Sequence, residues 1–333
     1  MQDTHISLAH GNGGRYMREL IEDLFARHLA NPELDVTADA AQVTLDSDNI
    51  LMTTDGFIVQ PLEFPGGNIG SLAIHGTTND LAVSGAIPKY LSLNAFIEEG
   101  MEIAALERII KTLAETAAEI GVKVVCGDTK VVQRGEGGGL YLATTGIGTL
   151  NGHVLSMHNI QPGDSIIVSG PVGDHGIAVM LAREAFGLRG DIQSDAASVL
   201  ELCLAAHKFP GLRFMRDPTR GGIATVCTEL HRATGYGIRL QQQQLPIRDP
   251  VQSVCDMLGY DPMYLACEGR VVAVVDANEA EQVLEQWRSH EDGQQAAIIG
   301  HVDAGLNCVV METEIGGERI LEELEDDPLP RIC

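Results

Sequence analysis

Apolar residues recur at helical spacing along residues 16–29, where Met17, Leu20, Ile21, Leu24, Phe25 and Leu29 share one face directly after the run His10-Gly11-Asn12-Gly13-Gly14. That pattern predicts a glycine-rich loop opening a helix. Strand-like runs follow at 45–55, 90–96, 122–128 and 140–150, separated by a small-residue helix over 69–84 and an amphipathic helix over 101–120. A polar, turn-rich stretch then interrupts the pattern, with Asn151-Gly152 and Gln161-Pro162-Gly163-Asp164. Beyond it, strands are predicted at 165–170, 212–216, 237–240 and 270–275, and helices at 177–186, 197–206, 223–234 and 279–289. Both halves mix strands and helices, an α/β or α+β alternation. The expected division is 1–155, 156–323 and a tail at 324–333, without short-period repeats and with only a glutamine run at 241–244 as low complexity.

Composition narrows the classes. A chain of 333 residues with 44% apolar content can bury a full core, and its length favours two domains. The net charge of −25, with no Lys/Arg cluster, lacks the footprint of a nucleic-acid or anionic-membrane binder and suits divalent cations instead. Seven cysteines occur with no CxxC and no Cys/His pairing at zinc spacing, so neither disulfides nor structural zinc are expected. With no secretory leader and no run near 18 uncharged apolar residues, the expectation is a cytoplasmic protein with reduced thiols.

Candidate chemistry falls into three groups. Asp55 in Thr53-Thr54-Asp55, Asp80 in Asn79-Asp80 and Asp128 in Gly127-Asp128-Thr129 are carboxylates at strand ends or in the small-residue helix. Converging, they would suit magnesium shared with phosphate oxygens; singly, each reads as a turn residue or helix cap. Glycine clusters at 11–14, 65–68, 135–139 and 220–222 let main-chain N–H groups approach phosphate, or are plain loops, and neither GxxxxGK[ST] nor a strand-linked GxGxxG is present. Arg216-Asp217-Pro218-Thr219-Arg220-Gly221-Gly222 brings an acid, a hydroxyl and two arginines to a turn before a helix, a phosphate-site candidate. Ser169-Gly170-Pro171-Val172-Gly173-Asp174-His175-Gly176 is similar in composition, or is a capped turn with a buried imidazole.

The sequence closes on Asp326-Asp327-Pro328-Leu329-Pro330-Arg331-Ile332-Cys333. Two prolines in three residues exclude helix, and an extended tail from residue 325 reaches roughly 25–30 Å. The thiol of Cys333 reads as delivered rather than packed, the alternative being a frayed end.

Taken together, HGNGG at 10–14, TTD at 53–55, FPGGNIG at 64–70, TNDLAVSGAIP at 78–88, GDTKVVQRG at 127–135, SGPVGDHG at 169–176, RDPTRGG at 216–222 and the terminal PRIC resemble, nearly end to end, the PurM-like ATP-binding superfamily and, within it, the HypE family of hydrogenase maturation proteins. The resemblance implies two α/β domains, a homodimer paired through the N-terminal sheet domains, a C-terminal α/β sandwich domain, and ATP in a groove between domains. It implies Mg2+ handled by Asp55, Asp80 and Asp128. It implies ATP contacts from Gly11, Gly13, Gly14, Asn68, Asn79 and Thr129 in the first half, and from Asp217, Thr219, Arg220 and Gly221 in the second. By the same resemblance, the carbamoyltransferase HypF carbamoylates Cys333, and ATP-dependent dehydration turns the thiocarbamate into a thiocyanate. Glu268 would be the general base and Lys130 the charge stabiliser; on sequence alone they are a loop acid and a surface lysine. The cyanide would pass to iron on a HypC–HypD complex. One departure is Cys267-Glu268-Gly269-Arg270, where the family reads Asn-Glu-Gly-Lys. The competing readings are a small-molecule kinase or synthetase of the same superfamily and an acidic metal-binding scaffold.

Overall fold

The computed structural model describes residues 3–38, 40–183 and 190–324. Within them the chain divides into two compact units, one formed by the residues up to Leu81 together with Ala86–Leu150, the other by Ala82–Gly85 together with the chain from Asn151.

In the first unit the glycine loop opens a helical stretch made of α1 (Arg15–Leu20), a wide π-helical segment Ile21–Ala26 and α2 (Arg27–Leu29). Then come β1 (Ile50–Phe57), the two-residue strands β2 (Glu63–Phe64) and β3 (Gly67–Asn68), α3 (Ile69–Val83), β4 (Ala86–Glu98), α4 (Ile103–Ile120), β5 (Lys123–Val132) and β6 (Leu140–Leu150). The main sheet has the order β1-β6-β4-β5, with only β4 and β5 parallel. One sheet face is buried through Leu91, Leu93, Ala95 and Ile97, and α4 turns Leu106, Ile109, Ile110 and Leu113 inward. The other face is open, with Ile50, Met52 and Phe96 exposed. Two strand starts differ from the pattern-based expectation, and β5 runs past the expected end at 128 to Val132. β1 starts at Ile50 rather than 45, because the Ser47 hydroxyl accepts the Asn49 N–H at 3.1 Å and makes a local turn. β4 starts before Pro88; β5 pairs with it only from Tyr90, and the β6 register shifts between Pro88 and Tyr90, so proline's missing donor falls at an irregularity.

The second unit contains β7 (Ser165–Val168), α5 (Asp174–Ala182), α6 (Leu200–Ala206), β8 (Leu212–Arg216), α7 (Gly222–Thr234), β9 (Gly237–Gln241), α8 (Asp249–Leu258), β10 (Val272–Val275), α9 (Ala280–Arg288), β11 (Ala297–Asp303), β12 (Val309–Glu312) and β13 (Glu318–Ile320). Its seven-stranded sheet has the order β13-β12-β9-β11-β7-β10-β8. Ile166, Val168, Val272 and Val274 pack with Ile223, Cys227 and Leu230 of α7, whereas Ile167, Ala273 and Val275 pack with Leu202 of α6 and Val283 and Trp287 of α9. Burial on both faces explains why β7 and β10 read as unbroken apolar runs. The periodicity missed α8, whose Asp249-Pro250 start reads as a break although proline is tolerated in a first turn. It also missed β11, where a register shift between Ile298 and Gly300 breaks the period of two.

Candidate functional site

Two seams of the first unit carry the polar motifs. Along the first, Gly11 lies against Val131 of β5. Lys130 and Asp128, two residues apart on that strand, share a face and pair at 2.5 Å in the open, with side chains 58% and 49% exposed. Asp128 also accepts the Thr129 N–H at 2.8 Å. Thr129 itself is buried, and its hydroxyl has no partner. It lines a cavity of about 160 Å³ whose walls include Ile21, Phe25, Leu93 and Val124.

Along the second seam, Thr53 of β1 donates to Asp80 of α3 at 2.8 Å. Asp55, two residues on, faces Gly76, one helical turn before Asp80. One chain thus brings Asp55 and Asp80 together but leaves Asp128 apart. Asp55 pairs with Thr144, whose hydroxyl meets Thr77 on α3, so its row faces that helix. Asp128 pairs with Asn94, which alternates with the buried Leu93 and Ala95, so it points to the open face. Two strands lie between β1 and β5, a separation of roughly 14 Å. Among the described residues no three His, Cys, Asp or Glu side chains gather closely enough to hold a metal ion.

Other candidates have structural duties. The Asn68 carboxamide oxygen accepts the N–H groups of Gly70 and Ser71 at 2.8 and 3.2 Å, capping α3. Gly14 sits immediately before α1, and Gly13 adopts a left-handed φ of 75°. Asn79 is buried in α3. One turn before it stands His75, a residue the sequence reading passed over. Its Nδ1 is buried without a partner, and burial pushes the imidazole down to about 4, keeping it neutral at neutral pH. The four-residue spacing from Asn79 was the available signal.

In the second unit the RDPTRGG turn joins β8 to α7, and Gly221 precedes the helix in left-handed geometry. At Gly222, with φ of 59°, a Cβ would come within 2.6 Å of the Leu265 carbonyl oxygen, so only glycine permits this approach. Beside it, the Pro218 carbonyl accepts the Cys267 N–H at 3.0 Å. The turn holding Asp217, Thr219 and Arg220 therefore lies alongside the segment carrying Glu268, which is 3% exposed. Cys267 is fully buried; its sulfur accepts the Gly173 N–H at 3.2 Å, and burial pushes its thiol well above the usual range.

SGPVGDHG forms no exposed anion loop. His175 Nδ1 meets the Ser194 hydroxyl at 2.8 Å, and Asp174 is buried at the start of α5. Burial, then the nearby Asp195, pushes Asp174 up to about 6, against the pull of Arg248 at 3.4 Å. Cys333 lies outside the described residues, as does the end of the helix expected over 177–186.

The family model for the AIR synthase related protein N-terminal domain matches residues 37–150, and that for its C-terminal domain matches 161–311. Fold and motifs define a two-domain PurM-like protein. Carbamoyl dehydratase HypE of Azotobacter vinelandii is 45% identical over 336 residues, covering 100% of this chain and 98% of the relative. Among solved structures, hydrogenase maturation protein HypE in complex with ATP aligns with a TM-score of 0.91 at 40% identity, covering 98% of this chain and 99% of that one. HypE from a HypE–HypF complex aligns at 0.81 and 43% identity, covering 92% and 99%. The chain belongs to the HypE family of hydrogenase maturation proteins, as its motifs suggested.

Proposed function

We propose that this protein is an ATP-dependent carbamoyl dehydratase acting on its own Cys333, supplying the cyanide ligand for the iron of a [NiFe]-hydrogenase. Full-length likeness to a curated dehydratase carries the reading. The placement of a buried Glu268 beside the RDPTRGG turn supports it. HypF, seen in complex with a HypE relative, is the proposed carbamoyl donor, ATP the co-substrate and a HypC–HypD complex the cyanide acceptor. In this scheme 1–155 binds nucleotide and forms the dimer, 156–323 supplies Glu268, and 324–333 carries the thiol. No helix of the described residues is long and apolar enough to cross a membrane, and the proposed location is the cytoplasm.

The donor set fits magnesium in part. Asp55 and Asp80 line one seam, and oxygen ligands shared with phosphate suit that ion. Bound there, it would neutralise charge developing on the phosphates. The bare sheet face with exposed Ile50, Met52 and Phe96 supports a homodimer. The apolar cavity beside Thr129, with its unpartnered hydroxyl, suits the nucleotide base.

The reaction converts R–S–C(=O)–NH2 into R–S–C≡N. An amide oxygen is a poor leaving group, so it first takes the γ-phosphoryl of ATP, releasing ADP. One N–H proton is released to solvent as the oxygen is phosphorylated, Glu268 accepts the second, the C–O bond breaks, and the oxygen leaves within phosphate. Lys130 stabilises negative charge on the oxygen undergoing transfer. The Gly11–Gly14 loop and Arg220 offer donors to the phosphates.

The test is incubation with carbamoyl phosphate, HypF, ATP and Mg2+, followed by mass spectrometry of the C-terminal peptide. An ATP-dependent change from carbamoyl to cyano on Cys333, absent in Cys333→Ala, is expected. An unmodified tail, with phosphate still transferred to small metabolites, would favour the kinase reading.

A further inference from the structure

Residues 266–271 belong to no helix or strand, so the backbone ladder that fixes β10 from Val272 onward does not fix Glu268. Backbone bonds hold Cys267 to Pro218 and Val271 to Ser169 on either side, and between them side chains converge on Asp195. Its carboxylate, 1% exposed, accepts the Glu268 N–H through Oδ1 at 3.1 Å and meets the Arg270 guanidinium through Oδ2 at 3.3 Å. It thereby grips the chain on both sides of Gly269. At Gly269 a Cβ would come 1.9 Å from the Asp195 carbonyl oxygen, so the two backbones are in direct contact and only glycine fits.

Arg270 is held in turn. Its Nε donates to the Pro171 carbonyl at 3.0 Å and one Nη to the Gly269 carbonyl at 3.4 Å, while Asp174 lies 4.0 Å from the other Nη. The planar fork spans groups in different directions, which a single ammonium on a flexible stem does not do. Asp195 is braced from behind: the Ser194 hydroxyl accepts the Ala196 N–H at 3.0 Å and meets His175 at 2.8 Å. Asp195 and Arg270 are both buried, and Asp195 was not among the sequence candidates.

We infer that Asp195 and Arg270 form a positioning clamp that fixes the backbone bearing Glu268, so that its carboxylate is held where the carbamoyl nitrogen is presented. The inference rests on Glu268 being the base of the proposed dehydration. It also explains the departure from the family's Asn-Glu-Gly-Lys: Arg270 supplies a fork where relatives carry a point charge, and Cys267 fills the buried position before the glutamate. The clamp acts through Glu268 and touches no substrate. Its loss therefore slows the chemical step without weakening nucleotide binding.

The experiment uses full-length protein carbamoylated by HypF, a single turnover started with saturating ATP and Mg2+, and cyano product followed by mass spectrometry. Asp195→Asn keeps an acceptor for the Glu268 N–H but removes the charge facing Arg270, and Arg270→Lys removes the fork. Asp195→Asn is expected to slow product formation at least about tenfold and Arg270→Lys about threefold or more, each with ATP affinity within about twofold of the parent. Parental rates in both variants would overturn the clamp. So would a loss shared equally by rate and ATP affinity, or failure of both variants to fold, since either marks a purely structural pair. Glu268→Gln run alongside separates the two readings: a silent Glu268→Gln with fully active clamp variants removes the clamp alone, and an active Glu268→Gln removes the base assignment beneath it.

Discussion

In the first unit the sheet keeps one face bare, and Asp128 and Lys130 stand on it half exposed, paired in solvent. In the second, helices cover both faces of the sheet, and Asp174, Asp195, Glu268 and Arg270 are sealed inside. An exposed ion pair contributes about 0–1 kcal/mol and yields readily to a ligand. A buried cluster is costly to disturb, because a charge left without its partner is stranded away from water. The first unit therefore suits groups that bind and leave, and the second suits a base that must hold one geometry through the reaction.

The largest effect that sharpens this contrast is at Glu268. Glu268→Gln keeps the shape and removes the proton acceptor, and should slow cyano formation by about 10²–10⁴-fold in single turnover while ATP still binds. Next is Trp287, fully buried, with its indole N–H donating to the Leu202 carbonyl at 2.9 Å. Trp287→Ala should cost about 3–5 kcal/mol. Hydrogen exchange should show the loss in β7 and β10, with β4 and β6 of the first unit still protected; equal loss in both sheets would break the comparison. Lys130→Ala should lower the dehydration rate about 10²-fold with an unchanged melting temperature, since its ion pair is exposed. A fall in stability there would show the first unit to be as tightly built as the second.

The smallest effect is in pH dependence. Asp174 is raised to about 6, above its unfolded value, so the folded form holds a proton that the unfolded form releases between about pH 4 and 6. Its contribution therefore opposes folding increasingly as pH rises through that window and is absent below it. In urea titrations across the window, Asp174→Asn should remove about 1–2 kcal/mol of that decline. Parallel curves for the two proteins would mean Arg248 and Arg270 already balance the charge.

Legibility in the sequence followed locality. The helix after the glycine loop, β6, β8 and α7 could be read because their period, caps and turns lie within a few residues. The alignment of the RDPTRGG turn with Cys267 could not, since it depends on a hydrogen bond across the fold and on the close approach at Gly222. Nor does the spacing of Asp55 and Asp128 reveal that β1 and β5 are opposite edges with the two side chains on opposite faces. Asp195 went unread because an acid in the polar Gln193-Ser194-Asp195 resembles a surface loop, whereas three contacts bury it.

The central chemical claim is that the carbamoyl oxygen departs in phosphate. Cys333 would be carbamoylated by HypF from carbamoyl phosphate labelled with 18O in its carbonyl, and inorganic phosphate analysed after one turnover with unlabelled ATP. The account predicts one 18O in phosphate for each cyano group formed. Cyano product with unlabelled phosphate and the label in water would contradict it.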